Sequence, residues 1–221
     1  MEISWLGHSC FRIKGSQAAL VTDPYPATLA SPANQPTASI VTVSHPHPGH
    51  SFTQGVKGDP RVIRGPGEFE IGGVLLLGIP TCHDAEKGKA RGKNTVFLFS
   101  LDDLSVCHLG DLGHLLNTEQ IEDLGNVDVL LLPVGGVSTI NATMAAEVVR
   151  QLEPKVVVPM HYRREQCDPA LEPVDRFLKE MGVKEIAYQP KLVISRNTLP
   201  ASMQVLLLEC PLPVPAAGQP A

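Results

Sequence analysis

Ser44-His45-Pro46-His47-Pro48-Gly49-His50 follows the apolar run Ile40-Val41-Thr42-Val43, and this junction decides how the chain is read. Prolines at 46 and 48 forbid a helix over the histidines, so the segment is an ordered loop leaving a strand, with three imidazoles presented by a stiff backbone. Imidazole is the commonest transition-metal ligand among side chains.

The same arrangement recurs along the chain. Asp23 follows a strand predicted over Ala18–Thr22, and His45, His47 and His50 follow one over Ala38–Val43. His83 follows Val74–Ile79, His108 and Asp111 end Leu104–Leu109, and His161 follows Lys155–Pro159. Five strands deliver a carboxylate or an imidazole at or near their carboxyl ends, where sites gather in layered α/β proteins. Six of the eight histidines are placed this way, which packing alone does not explain. The chemistry such a set suits is divalent metal binding. Neutral imidazoles with a carboxylate suit zinc, manganese, iron or nickel. Two adjacent ions need about six to eight protein ligands, and Asp111 could bridge them.

The remaining elements fit around these strands. Glu2–Leu6, Ser9–Ile13 and Ala18–Thr22 read as a meander, and residues 24–37, with four prolines, as a loop. Arg61–Arg64, Glu68–Ile71 and Asn94–Ser100 read as strands, with Asp102-Asp103 turning the last back into Leu104–Leu109. The second half alternates helix and strand. Asn117 with Gln120 three residues later is a capping-box signal for a helix to Leu124, ended by Gly125. Val127–Leu132 is a strand. Asn141 caps a helix over Ala142–Leu152, and Pro173–Met181 is helical up to Gly182. Strands near 185–188, 191–195 and 203–209 complete the pattern. Strand-rich blocks interleaved with helices predict two central sheets with helices outside, an α/β sandwich, as one domain over 1–210. Residues 211–221, with four prolines, are expected to be a disordered tail.

Composition narrows the function classes. The 221 residues are 43% hydrophobic and 19% charged, with a formal charge of −5. That gives no electrostatic footprint for non-specific nucleic-acid binding. No apolar run approaches the roughly 20 residues of a membrane span, and the first residues lack a signal-peptide pattern. Five scattered cysteines without a CxxC pair fit a reducing, cytoplasmic setting. Cys82 and Cys107 each precede a histidine of interest, and strand alternation places their thiols toward the core.

Taken in order, His45-x-His47-x-x-His50, His83, Gly110-Asp111 and Pro159-Met160-His161 resemble the motifs of the metallo-β-lactamase superfamily. Within it the chain is similar to the branch that includes ascorbate-phosphate lactonase. Trp5-Leu6-Gly7-His8, Thr22-Asp23-Pro24, Leu132-Pro133-Val134-Gly135-Gly136 and Val158-Pro159-Met160-His161-Tyr162 add to the likeness, which covers roughly residues 2–165.

The resemblance implies an αββα four-layer sandwich with the site along one edge of the two sheets. It implies one metal at His45, His47 and His83, another at His50 and His161, and Asp111 shared between them. The ions are expected to be zinc first, with manganese, nickel or iron as alternatives, one or two per chain. Asp23 would hold the histidine loop, or else simply form the turn before Pro24. The expected activity is hydrolysis of an ester, lactone or phosphodiester by a metal-bound hydroxide positioned by Asp111. His8 would bind substrate or donate a proton, or act as a turn histidine bonded to backbone. Arg91 and Lys93 would meet an anionic, for example phosphorylated, small-molecule substrate, or form a solvated basic loop. Gly135-Gly136 would turn backbone N–H groups toward an oxyanion, or form a plain turn. His108 reads as a buried supporting residue and His114 as a solvated loop histidine. A homo-oligomer is compatible with all of this.

One residue departs from the pattern. Similar hydrolases carry aspartate where this chain has Gly49, and glycine can neither ligate a metal nor orient water. The expectation is therefore a single tightly held metal, or a pair with a weak second site. The alternative function is a metal-binding sensor, scaffold or subunit that has lost hydrolysis.

Overall fold

The computed structural model describes residues 1–26, 35–164 and 169–210. The expected tail 211–221, Cys167 and the middle of the 24–37 loop lie outside them. Eight strands open the chain: β1 (Glu2–Gly7), β2 (Cys10–Lys14), β3 (Ala19–Thr22), β4 (Ile40–Val43), β5 (Arg61–Arg64), β6 (Gly67–Ile71), β7 (Val74–Cys82) and β8 (Lys93–Leu101). Next come β9 (Leu104–His108), α1 (Thr118–Leu124), β10 (Val129–Pro133), α2 (Ala142–Leu152), β11 (Val156–Met160) and α3 (Asp175–Glu180). The short strands β12 (Tyr188–Gln189), β13 (Leu192–Val193), β14 (Gln204–Val205) and β15 (Leu207–Leu208) follow.

Two mixed sheets form the centre, in the orders β13-β1-β2-β3-β4-β5 and β14-β11-β10-β9-β8-β7-β6. Burial follows from sequence. β1 alternates, sending Ile3 and Trp5 inward, whereas β4, β10 and β11 are buried on both faces and read as continuous apolar runs. Ile3, Trp5, Phe11, Ile13 and Leu20 of the first sheet share one core with Val96, Phe97, Phe99 and Val106 of the second. Truncating a fully buried ring such as Phe97 to alanine in such a core costs about 3–5 kcal/mol.

Helix ends are set by the signals their sequences carry. Asn117 accepts a hydrogen bond from the Gln120 N–H, and the Gln120 side chain accepts from the Asn117 N–H. Asn141 accepts from the Met144 N–H at the start of α2. The apolar stripe of α2, with Ala145, Val148, Val149 and Leu152 buried, packs on β10 and α3. The α/β sandwich is thus as anticipated. Tyr25, Val56 and a 3-10 turn at Thr53–Gly55 flank a second small core on the outer face of the first sheet. No helix among the described residues is long and apolar enough to cross a membrane.

Two expectations are revised. The strands predicted near 185–188, 191–195 and 203–209 pair over two residues each: β13 and β14 add to the edges of the two sheets, and β12 and β15 form a separate two-stranded sheet. Cys107 is buried as predicted, but Cys82 is only half-buried, with its Sγ 3.9 Å from Lys93 Nζ. Alternation along β7 puts Cys82 on the same side as exposed Pro80. The face opposite the histidines is here the solvent face.

Strand direction creates the site. β1, β3 and β4 run the same way, since β2 is antiparallel to both β1 and β3 and β4 is parallel to β3. β7 and β9 are both antiparallel to β8, and β9, β10 and β11 are parallel. The carboxyl ends of each set therefore lie along a single edge of their sheet. The edges are joined by the Thr95 N–H donating to Ser44 O at 2.9 Å and the His161 N–H donating to His8 O at 3.2 Å.

Candidate metal centre

One cleft of about 640 Å³ at this shared edge is lined by His8, His45, His47, His50, His83, Asp111 and His161. Every residue anticipated as a ligand or as catalytic stands there. The centre of the arrangement is the buried Asp111 carboxylate. Its Oδ2 lies 3.2 Å from His83 Nε2 and 3.4 Å from both His50 Nε2 and His161 Nε2. Its other oxygen accepts from Ser9 Oγ at 3.3 Å. Its backbone N–H donates to Asn94 Oδ1 at 2.9 Å.

Asp23 organises the histidine loop from behind. It accepts the Ser44 N–H at 2.7 Å and the Ser44 hydroxyl at 2.6 Å, and His50 Nδ1–H at 3.0 Å. The Ser44 oxygen in turn accepts from His45 Nδ1 at 3.0 Å. One carboxylate therefore fixes two rings with Nδ1 as donor, which leaves both Nε2 atoms able to face a metal. His47 Nδ1 accepts the Gly49 N–H at 3.1 Å, which puts the proton of the neutral ring on Nε2; ligation through Nε2 requires that proton to move to Nδ1 and this bond to be given up.

Three groups of donor atoms cluster within 4.8 Å of one another: His45, His47 and His50; His45, His83 and Asp111; and His8, His50 and His161. His83 and His161 each leave a buried Nδ1 without a hydrogen-bond partner, so their rings are held by what Nε2 faces. Six imidazoles around a buried carboxylate form a donor set that fits divalent transition metals.

The charges agree. Burial would raise Asp111, but the charges of His161 and His50 hold its carboxyl well below the usual range. Asp23 likewise stays low against the effect of burial, through its hydrogen bond from His50. Burial would depress His50, yet the Asp111 charge, with hydrogen bonds donated to Asp111 and Asp23, raises it to about 10. Burial, then the charge of His50, pushes His45 down to about 4. His47 is lowered by the same two causes. The surroundings thus favour the neutral ring at His45 and His47 and the charged ring at His50.

His108 is buried, as expected, and outside the ligand groups. Its Nε2 donates to Ser9 O at 2.8 Å and its Nδ1 accepts from the Gly110 N–H at 3.2 Å. Burial lowers its pKa, so it is a neutral strut between β9 and the turn that carries Ser9. His114, expected to be solvated, is instead half-buried and accepts the Cys82 N–H at 3.0 Å. Sequence reasoning missed Ser9, Ser44 and Asn94. Asn94 donates to Thr81 Oγ1 and Leu109 O while accepting from Asp111. The available signal was a polar residue opening an apolar strand directly across from the Asp111 loop. Gly135 and Gly136 do not line the cleft among the described residues. Gly135 packs on the His161 backbone, so the plain turn is the reading that fits.

Asp84, also missed, shapes the rim. Its carboxylate accepts the backbone N–H groups of Glu86, Gly88, Ala90 and Arg91 at 2.7–3.0 Å, and these, Arg91 foremost, pull it down to about 2. The ordered loop places Arg91 and Lys93 on the cleft wall, with Ser138 and Leu171 among the other lining residues. Arg91 is braced by its Nη2 donating to Val137 O at 3.1 Å.

Residues 2–161 match the family model described as a β-lactamase superfamily domain. A Pyrococcus abyssi protein named UPF0173 metal-dependent hydrolase is 30% identical over 213 residues, covering 83% of this chain and 93% of that one. A relative of the same name from Methanoculleus marisnigri is 32% identical over 187 residues, covering 73% and 81%. The crystal structure of a Thermotoga maritima protein, described as a candidate zinc-dependent hydrolase of the metallo-β-lactamase superfamily, superposes with a TM-score of 0.79. It is 38% identical and covers 95% of this chain and 99% of that one. With its fold, its ordered histidines and Asp111 at one sheet edge, this chain belongs to the metallo-β-lactamase superfamily.

Proposed function

We propose that the protein is a metal-dependent hydrolase acting on an ester, lactone or phosphodiester. The observation that carries this reading is the convergence of three Nε2 atoms on one oxygen of Asp111, 3.2–3.4 Å away. The names of its relatives point the same way. His45, His47 and His83 would hold one ion, His50 and His161 a second, and Asp111 would serve both. The nitrogen-rich set favours zinc over manganese, nickel or iron. When bound, the metal supplies a water of lowered pKa and polarises the scissile group.

The chain's own residues do the rest. Asp111, fixed by Ser9 and Asn94, positions the attacking water. Asp23 keeps His45 and His50 aimed. Arg91 and Lys93 present positive charge on the cleft wall, which supports an anionic small-molecule substrate. That substrate class, with His8 of Trp5-Leu6-Gly7-His8 on the cleft wall and Asp23 of Thr22-Asp23-Pro24 behind the histidine loop, supports placement in the branch that includes ascorbate-phosphate lactonase. We also read residues 1–210 as one domain. β13 and β14, late in the chain, add to the first and second sheets respectively.

The test is a hydrolysis panel of esters, lactones and phosphodiesters with zinc-reconstituted protein. Turnover that falls by at least about 10²-fold in Asp111→Asn is the expected result. Absence of turnover on every class, with Gly49→Asp then gaining it, would instead support the alternative of a metal-binding protein that has lost hydrolysis.

A further inference from the structure

We propose that His8 is a metal ligand, completing the second ion site in place of the aspartate that Gly49 replaces. The inference rests on the two-ion reading above. It starts from Gly49, whose backbone is not in the left-handed region. Nothing in the dihedrals demands glycine there. A Cβ at 49 would instead lie 3.1 Å from His47 Nδ1 and 3.6 Å from His8 Nε2. A Cβ there would be tight against His47 and in ordinary van der Waals contact with His8 Nε2, so a longer side chain would share the space next to the His8 ring. The glycine leaves room for an imidazole from a different strand.

His8 is held for this position. It sits at the carboxyl end of β1 with φ of 52°, a left-handed conformation that is unfavourable for a residue with a Cβ. Its carbonyl accepts two hydrogen bonds, from Trp5 Nε1–H at 3.0 Å and from the His161 N–H at 3.2 Å. The turn is thereby pinned to the loop that carries another ligand. The result brings His8 Nε2 to 3.0 Å from His50 Nε2. Donor atoms of His8, His50 and His161 all lie within 4.8 Å of one another. Nitrogens around one tetrahedral zinc at about 2.0–2.1 Å are roughly 3.3–3.4 Å apart, so these rings need only small shifts to share an ion.

The second site would then have three imidazoles and the Asp111 carboxylate, four protein donors without residue 49. Exchanging a carboxylate for an imidazole removes one negative charge and one hard oxygen. The site should favour zinc, nickel and cobalt over manganese and magnesium.

The test measures metal binding, with no turnover required. Chelator-stripped protein is reloaded with zinc, passed through gel filtration and counted by elemental analysis, with affinities from competition against a chromophoric chelator. Wild type should hold two equivalents. His8→Gly and His8→Asn, both compatible with a left-handed backbone, should keep the first and bind the second more than tenfold more weakly. Gly49→Asp added to His8→Gly should restore it. Two equivalents at wild-type affinity in both His8 variants would overturn the role of His8 while leaving the metal centre standing. A single equivalent in wild type would overturn it as well. Failure of wild type to bind zinc at all would overturn the metal-centre reading itself. Anomalous diffraction from zinc-loaded wild-type crystals tests the same point without any variant. A second ion bonded to His8 Nε2 supports the proposal, and a second ion whose ligands leave His8 out overturns it.

Discussion

Asp23 Oδ2 lies 3.0 Å from His50 Nδ1 while the same carboxylate accepts both the N–H and the hydroxyl of Ser44. Through Ser44 the effect reaches His45 Nδ1. A fully buried acid just past β3 thus sets the tautomers of two histidines 22 and 27 residues further along, one proposed for each ion site. Partners of this kind typically contribute 10–100-fold to metal affinity. Asp23→Ala is expected to lose that much zinc affinity at both sites, measured by chelator competition. Asp23→Asn should lose nearly as much, because an amide nitrogen cannot accept from His50. Unchanged affinity in both variants would show that the rings are aimed by packing alone.

Much of this site was legible in the chain because strand ends are local features. A strand over Ile40–Val43, two prolines and three histidines specify a stiff loop of imidazoles wherever the strand lies. The same holds for His83, Asp111 and His161. The supports were harder to see. Ser9 reaches Asp111 across 102 residues and Asn94 reaches it across 17. Neither pairing has a spacing rule, since it depends on how the two sheets are stacked. His8 was anticipated beside the site without a single role. Its position follows from the direction of β1, which is fixed only once β2 pairs with both neighbours. Cys82 went astray for a related reason: alternation gives the face of a strand, and which face meets solvent is a property of the layers.

Arg91 is braced by Val137 O and sits at the cleft beside Lys93, on the loop that Asp84 holds in shape. An exposed charge of this kind is worth about 0.2–1 kcal/mol to an oppositely charged partner, or up to about fivefold in binding. Arg91→Ala should therefore raise KM for a phosphorylated or carboxylated substrate about two- to fivefold, with kcat little changed and neutral esters unaffected. Steady-state kinetics on a matched charged and neutral substrate pair checks this. An equal effect on both substrates would mean that Arg91 acts through the loop rather than through charge.

The cysteines offer a chemical test of the layers. Cys10, Cys107 and Cys210 are buried, and burial pushes the thiols of Cys10 and Cys107 well up. Cys82 is half-buried on the solvent face of β7. Thiolate character and access govern alkylation. Native protein treated with iodoacetamide and analysed by peptide mass spectrometry should carry label on Cys82 well before those three. Equal labelling of Cys107 would contradict the closed core between the sheets.

Gly135 tests how closely the second ion site depends on backbone contact. A Cβ at this position would lie 2.1 Å from His161 O and 3.0 Å from Tyr162 Cα, both backbone atoms with nowhere to turn. Gly135→Ala must displace the His161 loop, at about 1–3 kcal/mol for an overpacked site. Because the His161 N–H also bonds His8 O, the shift should loosen both residues at once. Gly136 is the control. It has φ of 58°, and its nearest neighbours are the flexible Glu172 side chain at 3.3 Å and beyond. Gly136→Ala should cost a similar roughly 1–2 kcal/mol, through its left-handed backbone, yet leave His161 in place. Both variants should melt earlier than wild type, while only Gly135→Ala loses affinity for the second zinc. Equal zinc affinity in the two would mean that His161 keeps its position by side-chain contacts alone.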